Sequence, residues 1–298
     1  WETHREVLKR RYLDLLRDDQ KPPKPPLDLK IHEPTVVEGI YTRYLISYNV
    51  EADERAHAYL GIPLKLEGRA PGIVALCGTF ALSKARPAGL VDNPDKAYLD
   101  HLCRRGYVVI APDHFVAGDR IPPEGPYDTT RFHKKHPNWT AVGQFTYEHS
   151  IAIDVLQTRD EVADDRIGVL GHSLGGHGTY FLAAYDERIK AAACNCGAAF
   201  FRHNSRVDHW ARDHWYVYFK TGLAQPLSEA LGEDIQKSKW TTDWSGRLSR
   251  VCKSLVHNEQ LTYWRLWMKD ISRMMATQNE PLFTDCHIIL VVEKDSLY

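Results

Sequence analysis

The sequence predicts an α/β fold, a mainly parallel sheet flanked by helices. Three short, nearly all-apolar runs carry that expectation: GIVALCG (72–78), YVVIAPD (107–113) and RIGVLGHS (166–173). Their composition is that of strands buried on both faces. Segments of helical periodicity stand between them, so the strands run parallel, joined by right-handed crossovers with helices on both faces. A chain of 298 residues holds one large domain of this kind with an insertion, or two modest domains, and either can bury a full core.

The elements follow in order. Residues 4–18 place Leu8, Tyr12, Leu15 and Leu16 on one helical face. KPPKPP (21–26) cannot continue that helix and reads as an extended strap. RYLISYNV (43–50) and AHAYLGIPL (56–64) suit an antiparallel pair. NPDKAYLDHLCRRG (93–106) is a punctuated helix, with Asn93 as cap, Pro94 in the first turn, Arg104 and Arg105 at the negative dipole end, and Gly106 to close it. Residues 114–144, rich in Pro, Gly, His and Asp, read as a long loop. TYEHSIAIDVLQTRDEVA (146–163) carries Tyr147, Ile151, Val155 and Val162 on a helical stripe. GGHGTYFLAAY (175–185) is a helix, IKAAACNCG (189–197) a strand, and CHIILVVEKD (286–295) a further strand.

Residues 198–285 break the alternation and contain Trp210, Trp215, Trp240, Trp244, Trp264 and Trp267. Part of the segment, notably 261–275, has helical character, and it is too long for a plain connection. The expected organisation is an N-terminal helix and strap (1–40), an α/β core (41–197), a helical Trp-rich insertion or cap (198–285), and a returning core strand (286–298).

Composition excludes several functions. Lys and Arg total 38 against 39 Asp and Glu, a net charge of -1, which offers nucleic acid or an anionic membrane no attraction. No apolar run approaches the roughly 20 residues that span a bilayer. The charged opening WETHREVLKRRY is not expected to be a signal peptide, and with no initial Met the natural N-terminus is expected to have been removed. The six cysteines, Cys77, Cys103, Cys194, Cys196, Cys252 and Cys286, read mainly as buried thiols, with a disulfide as the alternative; no pair has zinc-site spacing. Asn138-Trp139-Thr140 is a glycosylation sequon of the short kind that chance supplies. No dinucleotide fingerprint or phosphate-binding glycine loop is present, so no cofactor and no metal is expected.

The chemistry concentrates at Gly171-His172-Ser173-Leu174-Gly175. This G-x-S-x-G stands between a buried strand and an apolar helix, the setting in which a sharp turn lifts a serine hydroxyl above the sheet and leaves no room for neighbouring side chains. The helix N-terminus adds amide N–H groups and a positive dipole suited to a developing oxyanion.

With the runs ALCGTFALSK (75–84), RRGYVVIAPDHFVAGDR (104–120), RIGVLGHSLGGHG (166–178) and VVEKDSLY (291–298), the chain resembles the α/β-hydrolase superfamily. Within it the likeness is to the dienelactone-hydrolase-like and acetyl-xylan-esterase-like serine esterases. The resemblance covers about residues 40–220 and resumes at 286–298. It implies a serine nucleophile at Ser173 and oxyanion donors on the backbone of Leu174 and of the Cys77-Gly78-Thr79-Phe80 loop. Phe80 is the expected loop donor and Thr79 the alternative. Asp295 matches the position of the triad acid, with Glu293 as fallback. The triad histidine should follow after one more strand, but no histidine follows Asp295 in the sequence. It is expected beyond Tyr298, along with a further strand and helix; an inactive relative and a histidine from elsewhere in the chain are the alternatives.

The resemblance favours small acyl esters, of sugars among others, as substrates. His114, Arg120, Tyr127, His172 and Trp215 are the expected substrate-contacting residues, set against ordinary packing or solvation for each. RHNSRVDHWARDHW (202–215) matches no standard metal spacing. A non-catalytic binding module on the same fold, or a peptidase or lactonase, stays open beside the esterase.

Overall fold

A computed structural model describes residues 6, 9, 10, 12–14 and 16–195. Among them seven strands form one sheet in the order β1-β2-β3-β5-β4-β6-β7. β1 (Lys30–Val37), β2 (Tyr41–Glu51) and β3 (Glu54–Pro63) form an antiparallel meander, and β3 continues antiparallel onto β5 (Val108–Pro112). β4 (Ala70–Leu76), β6 (Val162–His172) and β7 (Ile189–Asn195) complete the sheet, with β5, β4, β6 and β7 all parallel. The sheet is therefore mixed: parallel where the apolar runs predicted it and antiparallel across its N-terminal half.

Alternate side chains of the parallel strands feed two cores, as strands buried on both faces require. On β4, Val74 and Leu76 join one core with Tyr12, Leu16, Ile46 and Tyr48. Ile73 and Ala75 join the other with Tyr98, Leu99 and Leu102. Helices α3 (Ala141–Gln157) and α4 (Leu174–Tyr185) supply the first core. Helix α1 (Tyr98–Cys103) supplies the second. The short α2 (Thr130–Lys135) adds only Phe132 to the first core.

Several expectations change. β1 has no counterpart in the sequence reading, because Pro34 interrupts it and most of its residues are exposed; it is an edge strand whose register shifts between Ile31 and Pro34. The helix expected over 93–106 divides into a 3-10 turn (Pro94–Lys96) and α1, and the Asn93 side chain makes no capping bond. Gly106, at φ 87°, does close it.

Residues 114–144 are not one loop. They contain a 3-10 turn (Gly118–Arg120), α2 and the first turn of α3. The cap of α3 is Thr140, whose hydroxyl accepts from Gly143 N at 2.9 Å and donates to the Leu16 carbonyl at 2.7 Å. The hydroxyl that completes the sequon is thus buried and committed. At its other end α3 stops at Gln157, and Val162 opens β6 instead of extending the helical stripe. A turn closed by Val162 N to Arg159 O at 3.0 Å makes that reversal.

Of the three cysteines within the described residues, Cys77 and Cys103 are free, buried thiols, and Cys194 is buried with its Sγ hydrogen-bonded to the Gly176 carbonyl at 3.1 Å. Among the described residues no helix is long and apolar enough to cross a membrane. The expected strand at 286–295 and the Trp-rich segment 198–285 lie outside the described residues.

Thr140→Ala removes both bonds of the cap. The expected loss is about 1–2 kcal/mol in urea unfolding, with the slope of the transition unchanged.

Candidate active site

The parallel strands deliver their carboxyl ends to one edge of the sheet, in the order β5, β4, β6, β7. β4 lies beside β6 with Leu76 opposite Gly171. The loop that leaves β4 therefore emerges next to the turn that leaves β6.

At that turn Ser173 has φ 58° and ψ −118°, a conformation non-glycine residues rarely adopt, and it starts α4. The strain is held from both sides: Ser173 N donates to the Asn195 carbonyl, and His177 N donates to the Ser173 carbonyl, each at 2.9 Å. Close packing also explains the flanking glycines. A Cβ on Gly171 would lie 2.3 Å from the Gly175 carbonyl oxygen, and one on Gly175 would lie 2.2 Å from that of Leu76. Neither position can carry a side chain, because the atoms met are backbone. Ser173 itself is half-buried. The Leu174 N–H, first in the helix, has no intrahelical acceptor and faces the dipole-positive end.

The β4 loop comes close enough to serve the serine. A Cβ on Gly78 would lie 3.5 Å from the Ser173 Cβ. The two loop amides differ sharply. Phe80 N donates to the Tyr127 hydroxyl at 2.7 Å. Thr79 is exposed, and its N–H has no acceptor among the described residues. The N–H of Phe80, the expected loop donor, is thus already bonded within the protein, whereas that of Thr79, the alternative, is not.

The loop is anchored behind the site by charge. Asp113, buried just past β5, accepts from Lys84 N at 3.1 Å, Lys84 Nζ at 2.7 Å and Asp119 N at 3.1 Å. Burial opposes the Lys84 charge, but the Asp113 carboxylate overcomes it and holds the ammonium above its ordinary pKa. The Arg86 guanidinium lies 3.6 Å over the Phe80 ring, a cation–π contact.

His114, His172 and Arg120, also expected at the site, are each held by neighbouring side chains. His114 is buried among Phe115, Tyr127 and Phe145, and burial holds its pKa well below the ordinary value. His172 bonds the Asn195 side chain, and burial, with Lys96 nearby, lowers its pKa to about 4. Its ring is thus tied toward β7 and neutral.

Arg120 is not a solvated loop cation. Its guanidinium is buried against Glu148 at 2.9 Å and Glu54 at 2.8 Å, beside a cleft of about 40 Å³ shared with Phe132, Lys135 and His136. His149, buried in α3, escaped the sequence reading; burial lowers its pKa to about 3. Asp295 and Trp215 lie outside the described residues. Among the described residues, no histidine hydrogen-bonds the Ser173 hydroxyl, and no group of three or more His, Cys, Asp or Glu could hold a metal ion.

Comparison with known proteins identifies a family and similar folds. The model of the dienelactone hydrolase family matches residues 45–228. YtaP of Bacillus subtilis (strain 168), provisionally described as a hydrolase, is 29% identical over 203 residues, which is 64% of this chain and 64% of YtaP. A provisionally assigned acetyl xylan esterase from Bacteroides fragilis NCTC 9343 superposes with a TM-score of 0.56 at 19% identity, covering 63% of this chain and 51% of that one. Acetyl xylan esterase 1 from Thermoanaerobacterium sp. JW/SL YS485 gives 0.50 at 17% identity, covering 83% of this chain and 72% of that one. The two structures share the fold. The chain spans just under two thirds of YtaP and about half of the Bacteroides protein.

Two consequences are testable. Gly175→Ala forces a methyl into the Leu76 carbonyl, and it is expected to lose at least about 3 kcal/mol of stability or to fail to fold, as read by circular dichroism and urea unfolding. His149 has a folded pKa of about 3 against an ordinary 6.5, so its neutral form stabilises the fold fully above pH 6.5. That stability falls as pH drops from 6.5 toward 3, at about 1.4 kcal/mol per pH unit. His149→Phe should flatten the loss of urea midpoint across that window.

Proposed function

The chain belongs to the dienelactone hydrolase family, and on that footing we propose that it hydrolyses carboxylic esters through an acyl-enzyme on Ser173. The observation that carries the proposal is the backbone of Ser173. A serine held at φ 58° and ψ −118° between a strand and a helix is strained, which supports a nucleophile turned out of the sheet beside the β4 loop and the start of α4.

In the proposed reaction a histidine takes the proton of the Ser173 hydroxyl as its oxygen attacks the ester carbonyl. The carbonyl oxygen becomes an anion that the Leu174 and Thr79 N–H groups are proposed to stabilise. The alcohol leaves with a proton from a histidine, and water then attacks the acyl-enzyme with that histidine as base. The proposed histidine lies outside the described residues: no described histidine hydrogen-bonds the Ser173 hydroxyl, and the lowered pKa values of His114, His149 and His172 make them weak bases. Asp295, at the end of an apolar run, is the proposed acid that orients it.

The proposed substrates are small acyl esters, acetyl esters of sugars foremost. The likeness to acetyl xylan esterases supports this class, and the sequence of 198–285 holds six tryptophans, a residue type on which sugar rings stack.

A fluorophosphonate probe should label Ser173, and p-nitrophenyl acetate should be hydrolysed. Ser173→Ala should abolish labelling and lower kcat by at least about 1000-fold with the fold retained. Wild-type protein that neither labels nor turns over the ester would refute an esterase and leave a binding module on the same fold.

A further inference from the structure

Tyr127 lies in the Pro-rich segment after β5, 47 residues from the loop it touches. Its hydroxyl accepts from Phe80 N at 2.7 Å and donates to the Phe80 carbonyl at 2.9 Å, with the Gly78 carbonyl 3.4 Å away. One phenolic oxygen thus meets the backbone on both sides of Thr79. The tyrosine is itself tightly held: it has φ 67°, its N–H donates to the Val116 carbonyl at 2.9 Å, and its ring packs on His114 with centroids 5.6 Å apart. A non-glycine residue in that left-handed conformation is kept there by its surroundings. Burial raises the phenol's pKa, so it stays a neutral hydroxyl able to accept and donate at once.

We infer that Tyr127 is a positioning residue for the acyl-transfer reaction: its hydroxyl fixes the peptide planes around Thr79 and thereby commits the Thr79 N–H, not that of Phe80, as the loop's oxyanion donor. The inference rests on Ser173 being the nucleophile.

The physical case has three parts. An oxyanion hole works by being pre-set, so a loop amide that wanders forfeits its effect. Neighbouring amides of an unrestrained loop compete for the same anion; here one of the pair is consumed by an internal bond and the other is left open and exposed. The loop's distal end is already fixed by Lys84 on Asp113, and Gly118 N bonds the Ala81 carbonyl at 2.8 Å, so Tyr127 supplies the missing restraint at residues 78–80.

The test compares wild type, Tyr127→Phe and Ser173→Ala on p-nitrophenyl acetate, with an alkylboronic acid as transition-state mimic. Tyr127→Phe keeps the ring on His114 and removes only the hydroxyl. The expected result is a fall in kcat of roughly 10- to 100-fold, KM unchanged within about twofold, and an equal loss of boronate affinity. A variant that turns over faster than wild type would mean that Tyr127 blocks the Phe80 donor, and unchanged kcat would mean that it positions nothing; either overturns the inference.

A loss confined to thermal stability overturns it too. Amide hydrogen exchange of the wild type serves should the variant not fold: Phe80 N–H is expected to exchange at least about tenfold more slowly than Thr79 N–H, and equal rates would refute the clamp. Failure of the underlying reading looks different, as wild-type turnover that survives in Ser173→Ala.

Discussion

The site depends on the passage of three backbone segments through a space that admits no side chain. The end of β6, the start of α4 and the end of β4 meet where Gly171 faces Gly175 and Gly175 faces the Leu76 carbonyl. This contact brings α4 down onto the sheet, turns the chain hard enough to strain Ser173, and sets that serine beside the β4 loop. Relieving it by any side chain would separate the hydroxyl from the amides proposed to stabilise the anion. The strained serine survives because Asn195 and His177 bond its peptide groups on either side.

Around this crossing, charge is used for anchoring. Lys84 and Asp113 pin the far end of the donor loop, and Arg120 is spent on Glu148 and Glu54. His114 and His149 are buried, and burial holds both imidazoles below their ordinary pKa.

How much of this was legible depends on the range of each determinant. The parallel strands were readable because burial on both faces demands continuous apolar runs, and GIVALCG and RIGVLGHS are such runs. The elbow was readable because its steric demand falls on residues two positions from the serine. β1 was not, because an edge strand needs no apolar pattern. The first turn of α3 was hidden by Gly143 and rescued by the Thr140 cap, which reaches the Leu16 carbonyl 124 residues away. Arg120 looked like a solvated or ligand-binding cation, and nothing near it in sequence announced Glu148 and Glu54 as partners.

The sequence by itself determined the alternation of strands and helices, the sharp turn at Ser173 and the family to which the chain belongs, because each of these follows from local pattern and local sterics. Tertiary structure decided which loop amide is open, which histidines are locked and neutral, and which cations are already matched. Those are properties of pairs such as Phe80 with Tyr127 or Lys84 with Asp113, brought together only when β4 and β5 lie side by side. Hydrogen bonding and burial depend on distance in space, and the order of residues along the chain does not carry that distance.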